Sequence, residues 1–168
     1  MNVLMILSML VIAAYTVAVC VKQGGIPYSI SATFYRLEHP YWFMATIWLT
    51  AGLLMPVILE TSKPESEICA FLSCAGMLLV GAAPNFKYGF ERKIHTAGAA
   101  LCLAGSQTFV ALSLPWCLLV WIAYVAYTVV MMLRRKSDSI ISDFMRTKPM
   151  FWIEIAALAS TYLSLLIL

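Results

Sequence analysis

The chain has 168 residues, of which 62% are hydrophobic and 11% charged, with a mean hydropathy of +0.89. Soluble domains run at about 45–50% apolar and about 25% charged, so a water-soluble globular protein is excluded and the matching solvent is a bilayer. Eleven Lys and Arg against eight Asp and Glu leave +3, too mild and too dispersed for nucleic-acid binding.

A spanning helix needs about 20 mainly apolar residues. Six segments qualify, at 3–21, 41–59, 68–83, 94–112, 115–133 and 150–168. In lipid every backbone polar group must be satisfied within helices or a closed barrel, and no period-2 barrel segments occur. The predicted fold is therefore all-α, a polytopic six-transmembrane-helix bundle forming one domain over residues 1–168.

The first segment follows Met1-Asn2 with no cationic stretch and no small-residue cleavage site, so it is expected to stay as a helix rather than leave as a signal peptide. Gly24-Gly25-Ile26-Pro27 ends it. The second opens behind Pro40 and carries Pro56 near its end, where a kink is expected. The third is short, which asks for an upright helix or a thinned bilayer. The fourth is rich in small residues, among them Gly98, Ala99, Ala100, Ala104, Gly105 and Ser106. Such residues let backbones approach closely, so this helix is expected at the bundle centre. Pro115 opens the fifth and Pro149 precedes the sixth, both good helix starts.

Charge divides by side. Ten of the eleven basic residues fall in the first, third and fifth connections: Lys22 and Arg36; Lys87, Arg92 and Lys93; Arg134, Arg135, Lys136, Arg146 and Lys148. On the other side Lys63 stands alone beside Glu60, Glu65 and Glu67, which makes the two ends +5 and −2. The positive-inside rule then predicts a multi-pass protein of the cell (plasma or inner) membrane, with both termini extracytoplasmic and the basic loops cytoplasmic. The first and fifth connections are also long, about 16–19 residues, and such lengths are usually functional.

Eight residues at that end have the side chains of a ligand pocket: Ser29, Ser31, Tyr35, Arg36, His39, Asn85, Glu91 and His95. The loop 24–39 is too apolar to float free in water. With Ser29, Ser31 and Thr33 at strand-like spacing, it reads as an interfacial loop with aromatic anchors or as a lid over a headgroup-sized pocket. His39 and His95 read as solvated helix-start histidines. With Glu38, Glu91, Asp138 or Asp143 they would make a two-His, one-carboxylate metal set, but no spacing requires one, and no metal or cofactor is expected. The basic clusters around 85–93 and 134–136 suit anchoring to an anionic leaflet, at roughly 1 kcal/mol per residue, or recognition of a phosphate-bearing lipid.

Gln107 and Glu154 stand out among the polar residues within spans. Gln107 reads as a helix-to-helix hydrogen bond or as the lining of a ligand cavity. Glu154, about one turn inside the last helix, either pairs with Arg146 or Lys148 by snorkelling or couples to a proton or substrate. Cys20, Cys69, Cys74, Cys102 and Cys117 are scattered through the spans without metal spacing and read as free thiols.

Pro27-Tyr28-Ser29-Ile30-Ser31-Ala32-Thr33 and His95-Thr96-Ala97-Gly98-Ala99 together resemble the DRAM-type family of six-helix membrane proteins. That family has a Pro-aromatic-Ile-Ser-Asp-Thr-like motif between its first two helices and a His-x-x-x-Ala-type start to its fourth. Ala32 stands at the family's acidic position, one residue is added to the first motif, and the charge count puts this loop on the opposite side of the membrane. The resemblance implies the six-helix fold and a lipid-associated role without a defined reaction.

The reading these features favour is a small membrane protein binding a lipid or other amphipathic ligand in a cytoplasmic-side pocket. Two others stay open. One is a membrane-embedded lipid-modifying hydrolase or transferase with His39 or His95 as base and Ser29 or Ser31 as nucleophile. The other is a small-solute transporter built on Glu154, Gln107 and Pro56. Whether the chain is an enzyme is undecided, with non-enzymatic binding favoured. Membrane lipids are the expected partners, nucleic acid is not, and assembly with further copies of the chain stays open.

Overall fold

The computed structural model describes residues 2–87, 89–134 and 139–168. Tyr88, Arg135, Lys136 and Asp138 lie outside the described residues. The described residues fold entirely as helix and turn: α1 (Val3–Lys22), α2 (Tyr41–Thr61), α3 (Pro64–Ala82), α4 (Gly89–Ser113), α5 (Leu119–Arg134), α6 (Ile140–Arg146) and α7 (Pro149–Ile167). Tight 3₁₀ turns occupy Ser31–Tyr35 and Pro115–Leu118. Six helices are long and apolar enough to cross a membrane: α1 to α4, α7, and the run Pro115–Arg134 that contains α5. The chain is thus an all-α multi-pass bundle, as composition requires.

Local chemistry sets the helix ends. The Asn2 side chain accepts a hydrogen bond from the Leu4 amide at 3.0 Å and caps α1. At the other end Gly24 adopts φ +65, and the amides of Gly24 and Gly25 donate to the carbonyls of Val21 and Cys20 at 3.1 and 3.0 Å. That paired closure satisfies two orphan carbonyls and needs a residue that tolerates the left-handed region.

Three boundaries differ from the hydropathy reading. α3 begins at Pro64 and reaches 19 residues, so the third span is not short. Pro64 fits the first helical position, and Glu65 and Glu67 in the first turn suit the positive end of the helix dipole; charge hides this turn from a hydropathy window. α4 begins at Gly89 and runs 25 residues, which puts His95 in its second turn. The fifth connection contains α6, capped by the Ser139 hydroxyl accepting from the Ser142 amide at 3.4 Å. α2 continues through Pro56 as one helix.

The tightest packing joins α3 to α4, where glycines bring the two backbones together. A Cβ on Gly98 would stand 2.8 Å from both the Gly76 carbonyl oxygen and Leu79 Cβ, and one on Gly105 would stand 2.7 Å from the Cys69 carbonyl oxygen. Lipid supplies no hydrophobic drive between helices, so close backbone approach and dispersion hold this pair. Around it the core gathers fully buried Phe43, Leu54, Ile58, Cys74, Phe109 and Val110. α5 lies outside this core: Leu119, Ile122, Val125 and Leu133 are all more than half exposed, as suits a lipid-facing helix.

Gln107 binds the outer helices to α4. Its amide oxygen accepts from Trp121 Nε1 of α5 at 2.8 Å and from Ser160 Oγ of α7 at 2.9 Å, while its Nε2 donates to the Ala157 carbonyl at 3.4 Å. Interhelical hydrogen bonds in membranes average about 0.6 kcal/mol and reach about 1.7. Gln107→Leu removes three of them, so a loss of roughly 2 kcal/mol is expected. Thermal unfolding in detergent, read against Trp121→Phe, checks this. The single-bond variant should lose clearly less.

Candidate functional site

The eight residues expected to form a loop pocket divide into separate groups. Tyr35 sits at the end of the 3₁₀ turn, where its hydroxyl donates to Asn85 Oδ1 and accepts from the Lys87 amide, both at 2.9 Å. Glu91 accepts from the Asn85 amide at 3.3 Å. Phe86 stacks edge-on against Tyr35 and lies 4.8 Å from the His95 ring. Nδ1 of His95 lies 2.9 Å from the carbonyl oxygen of Ala83. A carbonyl can only accept, so Nδ1 carries a proton. His95 thereby satisfies an orphan carbonyl at the end of α3.

These four predicted residues, Tyr35, Asn85, Glu91 and His95, form a clasp between the first and third loops. Each donates to or accepts from a group within the clasp. The reading of His95 as a solvated residue is corrected: it is 6% exposed, because α4 starts a turn earlier than hydropathy suggests and carries the ring under Phe86. His39 is exposed. Arg36 reaches Gln23 at 3.4 Å. Among the described residues no three His, Cys, Asp or Glu side chains gather into a metal-ligating group.

Ser29 and Ser31 belong to a second group with Glu154. The expected strand-like alternation is replaced by the 3₁₀ turn, and Ser29 Oγ accepts from the Ala32 amide within it at 2.9 Å. Glu154 does not pair with Arg146 or Lys148. Its carboxylate accepts from the backbone amide of Ile30 and from Ser31 Oγ at 3.1 Å, with the Ser31 amide at 3.5 Å. Just before it, the Phe151 amide donates to the Tyr28 carbonyl at 3.1 Å. The start of α7 therefore holds the first loop down over the bundle. The amides at the start of a 3₁₀ turn have no acceptor within the turn, and those of Ile30 and Ser31 donate to Glu154, which turns inward. Neither serine is hydrogen-bonded to a histidine.

Beneath this latch lies a partly open cavity of about 180 Å³. Ser31 and Glu154 form its end towards the basic loops. Ile12 of α1, Ile47 and Leu54 of α2, Met77 of α3 and Leu103 of α4 line its walls. Thr161 and Tyr162 lie at its far end. From Glu154 to Tyr162 is eight residues of α7, or ~12 Å of helix. Its wall is almost wholly apolar, and the volume is of the order of an engineered cavity of about 150 Å³ that stays dry and takes benzene. Of the eight predicted loop residues only Ser31 lines it.

Sequence reasoning missed the deep members of this cavity: Ser73, Cys102, Ser106, Thr161 and Tyr162. A partial signal existed, since Glu154, Leu158, Thr161 and Tyr162 share one face of α7 by the three-and-four spacing. Tyr162 is anchored by Ser8, whose Oγ lies 2.6 Å from the Tyr hydroxyl and donates to the Thr50 carbonyl at 2.9 Å. No protein-family model, curated protein or solved structure matches this chain.

Proposed function

We propose that the protein binds one amphipathic ligand, a lipid or isoprenoid, with its hydrocarbon part in the cavity between α1, α2, α3, α4 and α7 and its polar end at the Ser31 and Glu154 latch. The carrying observation is the cavity itself: an apolar chamber of about 180 Å³ in the membrane interior with a carboxylate and a hydroxyl at one end. Ligand sites are concave, mostly apolar and furnished with a few converging polar groups, and this chamber has that composition. The volume suits a hydrocarbon segment rather than a whole phospholipid, so the rest of the ligand extends out past the first loop. A similarity to DRAM-type proteins, which implies a lipid-associated role, points the same way. In this reading the protein lies in the cell membrane with its basic end and the latch on the cytoplasmic side. The support is the ten basic residues at that end and the positive-inside rule.

Native mass spectrometry of the full chain released from its membrane tests the proposal, alongside thermal shifts with palmitic acid, a lysophospholipid and an isoprenyl phosphate. One retained amphiphile per chain, or a shift with one of the three, is expected. Ala157→Phe, which puts a ring into the cavity, should abolish it while leaving the helical content intact. A native chain with no retained amphiphile and no shift, or an Ala157→Phe chain that binds equally, would overturn the reading.

A further inference from the structure

The bundle carries a second concave feature that the interior cavity does not involve. An open groove of about 760 Å³ runs along the outer face of α4 at its first turns. Lys87, Arg92 and Lys93 stand at its head, and Thr96, Ala97 and Ala100 form the strip below them. All six are exposed. Arg92, Lys93, Thr96, Ala97 and Ala100 fall on one face of α4 by helical spacing.

We infer that this groove holds an anionic phospholipid, its phosphate between Arg92, Lys93 and Lys87 and an acyl chain against Ala97 and Ala100.

Three observations carry it. The first is unmatched charge. Among the described residues no carboxylate lies within ion-pair distance of these three cations, and the one ion pair found is Lys22 with Glu38 at 3.2 Å. Glu91, next in sequence to Arg92, is turned to the Asn85 amide. Arg36, at the same end of the bundle, rests on Gln23. Lys87, Arg92 and Lys93 share one concave surface, and the Lys87 ammonium is positioned by the Tyr35 ring, 4.2 Å from its centroid.

The second is depth. α4 has 25 residues, or ~37 Å at 1.5 Å per residue, against a hydrocarbon core of about 30 Å. The far end of α4 passes through Leu114 directly into the next span at Pro115, which keeps that end at the membrane boundary. The surplus of about 7 Å therefore emerges at the near end, so Arg92 and Lys93 lie among the headgroups and Ala97 and Ala100 among the acyl chains. The third is shape: small side chains directly below the cations leave a trough that larger ones would fill. A free phosphate would use the cations and leave the trough empty, whereas a lipid occupies both.

The test uses the full chain in phosphatidylcholine nanodiscs doped with phosphatidylglycerol or phosphatidic acid, with retained lipids counted by native mass spectrometry. Native protein should retain an anionic lipid above its share of the bilayer. Arg92→Gln with Lys93→Gln should lower that preference about tenfold or more, given the attraction per basic residue near an anionic surface. Ala97→Trp, which fills the trough without touching charge, should lower it as well. Lys63→Gln, at the opposite end, should leave it unchanged. Preference kept in the double variant, an equal loss in Lys63→Gln, or displacement of the lipid by glycerol phosphate would each overturn the inference. A loss with phosphatidic acid alone would assign the site to a phosphate monoester, and a loss with both lipids to any anionic headgroup. Because the groove and the interior cavity have no residue in common, Ala157→Phe should leave this preference intact.

Discussion

Gly98→Val is expected to be strongly damaging, lowering stability by about 3 kcal/mol or more and the thermal midpoint by roughly 6–12 °C. The added Cβ meets the Gly76 carbonyl oxygen and Leu79 Cβ at 2.8 Å and the Val80 amide nitrogen at 3.1 Å. None of these atoms can swing aside by a rotamer change, so α3 and α4 must separate along their length. Gly76→Ala should behave similarly, because its Cβ would strike the backbone of Cys102 and Gly98. Gly52→Ala is the matched control. Nothing lies within 4 Å of a Cβ there, and replacing a helix-interior glycine gains about 0.5–1 kcal/mol. Melting curves in one detergent for all three separate steric loss from helix propensity. A Gly98→Val protein melting within a degree of the native chain would refute the close-packed α3 and α4 pair.

Glu154→Ala should release the first loop from α7. The substitution leaves the buried Ile30 amide and the Ser31 hydroxyl without their acceptor. An unsatisfied buried donor costs about 1–3 kcal/mol, more where the lost partner is charged. Glu154→Gln keeps one acceptor oxygen and should lose less than half as much. The effect is also local: hydrogen exchange over residues 24–37 should accelerate far more than over α3 or α4, since the latch joins only the first loop to the start of α7. If exchange rises evenly over the whole chain, Glu154 is a general packing residue instead of a latch. If Ala and Gln behave alike, its hydrogen bonds contribute little.

Much of the latch and the clasp was beyond the reach of pattern reading. Ser31, Tyr35, Asn85, Glu91 and His95 are singled out by residue type and by falling at the same end of the bundle. Their division into two groups is not. It follows from where α4 starts: with Gly89 as its first residue, Glu91 and His95 enter the helix and turn toward the third loop, leaving Ser31 to Glu154. Glu154 was recognisable as an intramembrane carboxylate, but its partner was misjudged. Arg146 and Lys148 are near in sequence, whereas the amides of Ile30 and Ser31 arrive from more than a hundred residues away. Gln107 shows the same limit: an amide inside a span must find partners, yet only the packing names Trp121 and Ser160.

Composition and hydropathy by themselves determined the solvent, the helical class and the number of spans, because an apolar medium leaves the backbone few ways to satisfy its polar groups. Small residues in the fourth span likewise announced close packing, since glycine removes the side chain that would keep backbones apart. The tertiary structure decided what the few polar groups do. Hydrogen bonds reach about 3 Å, so their pairing depends on distances between helices that no local pattern encodes, and the cavity exists only where five helices fail to meet. Charge counts identified the basic end of the molecule, and the fold then separated an interior chamber with Glu154 at one end from an outer groove headed by Arg92 and Lys93.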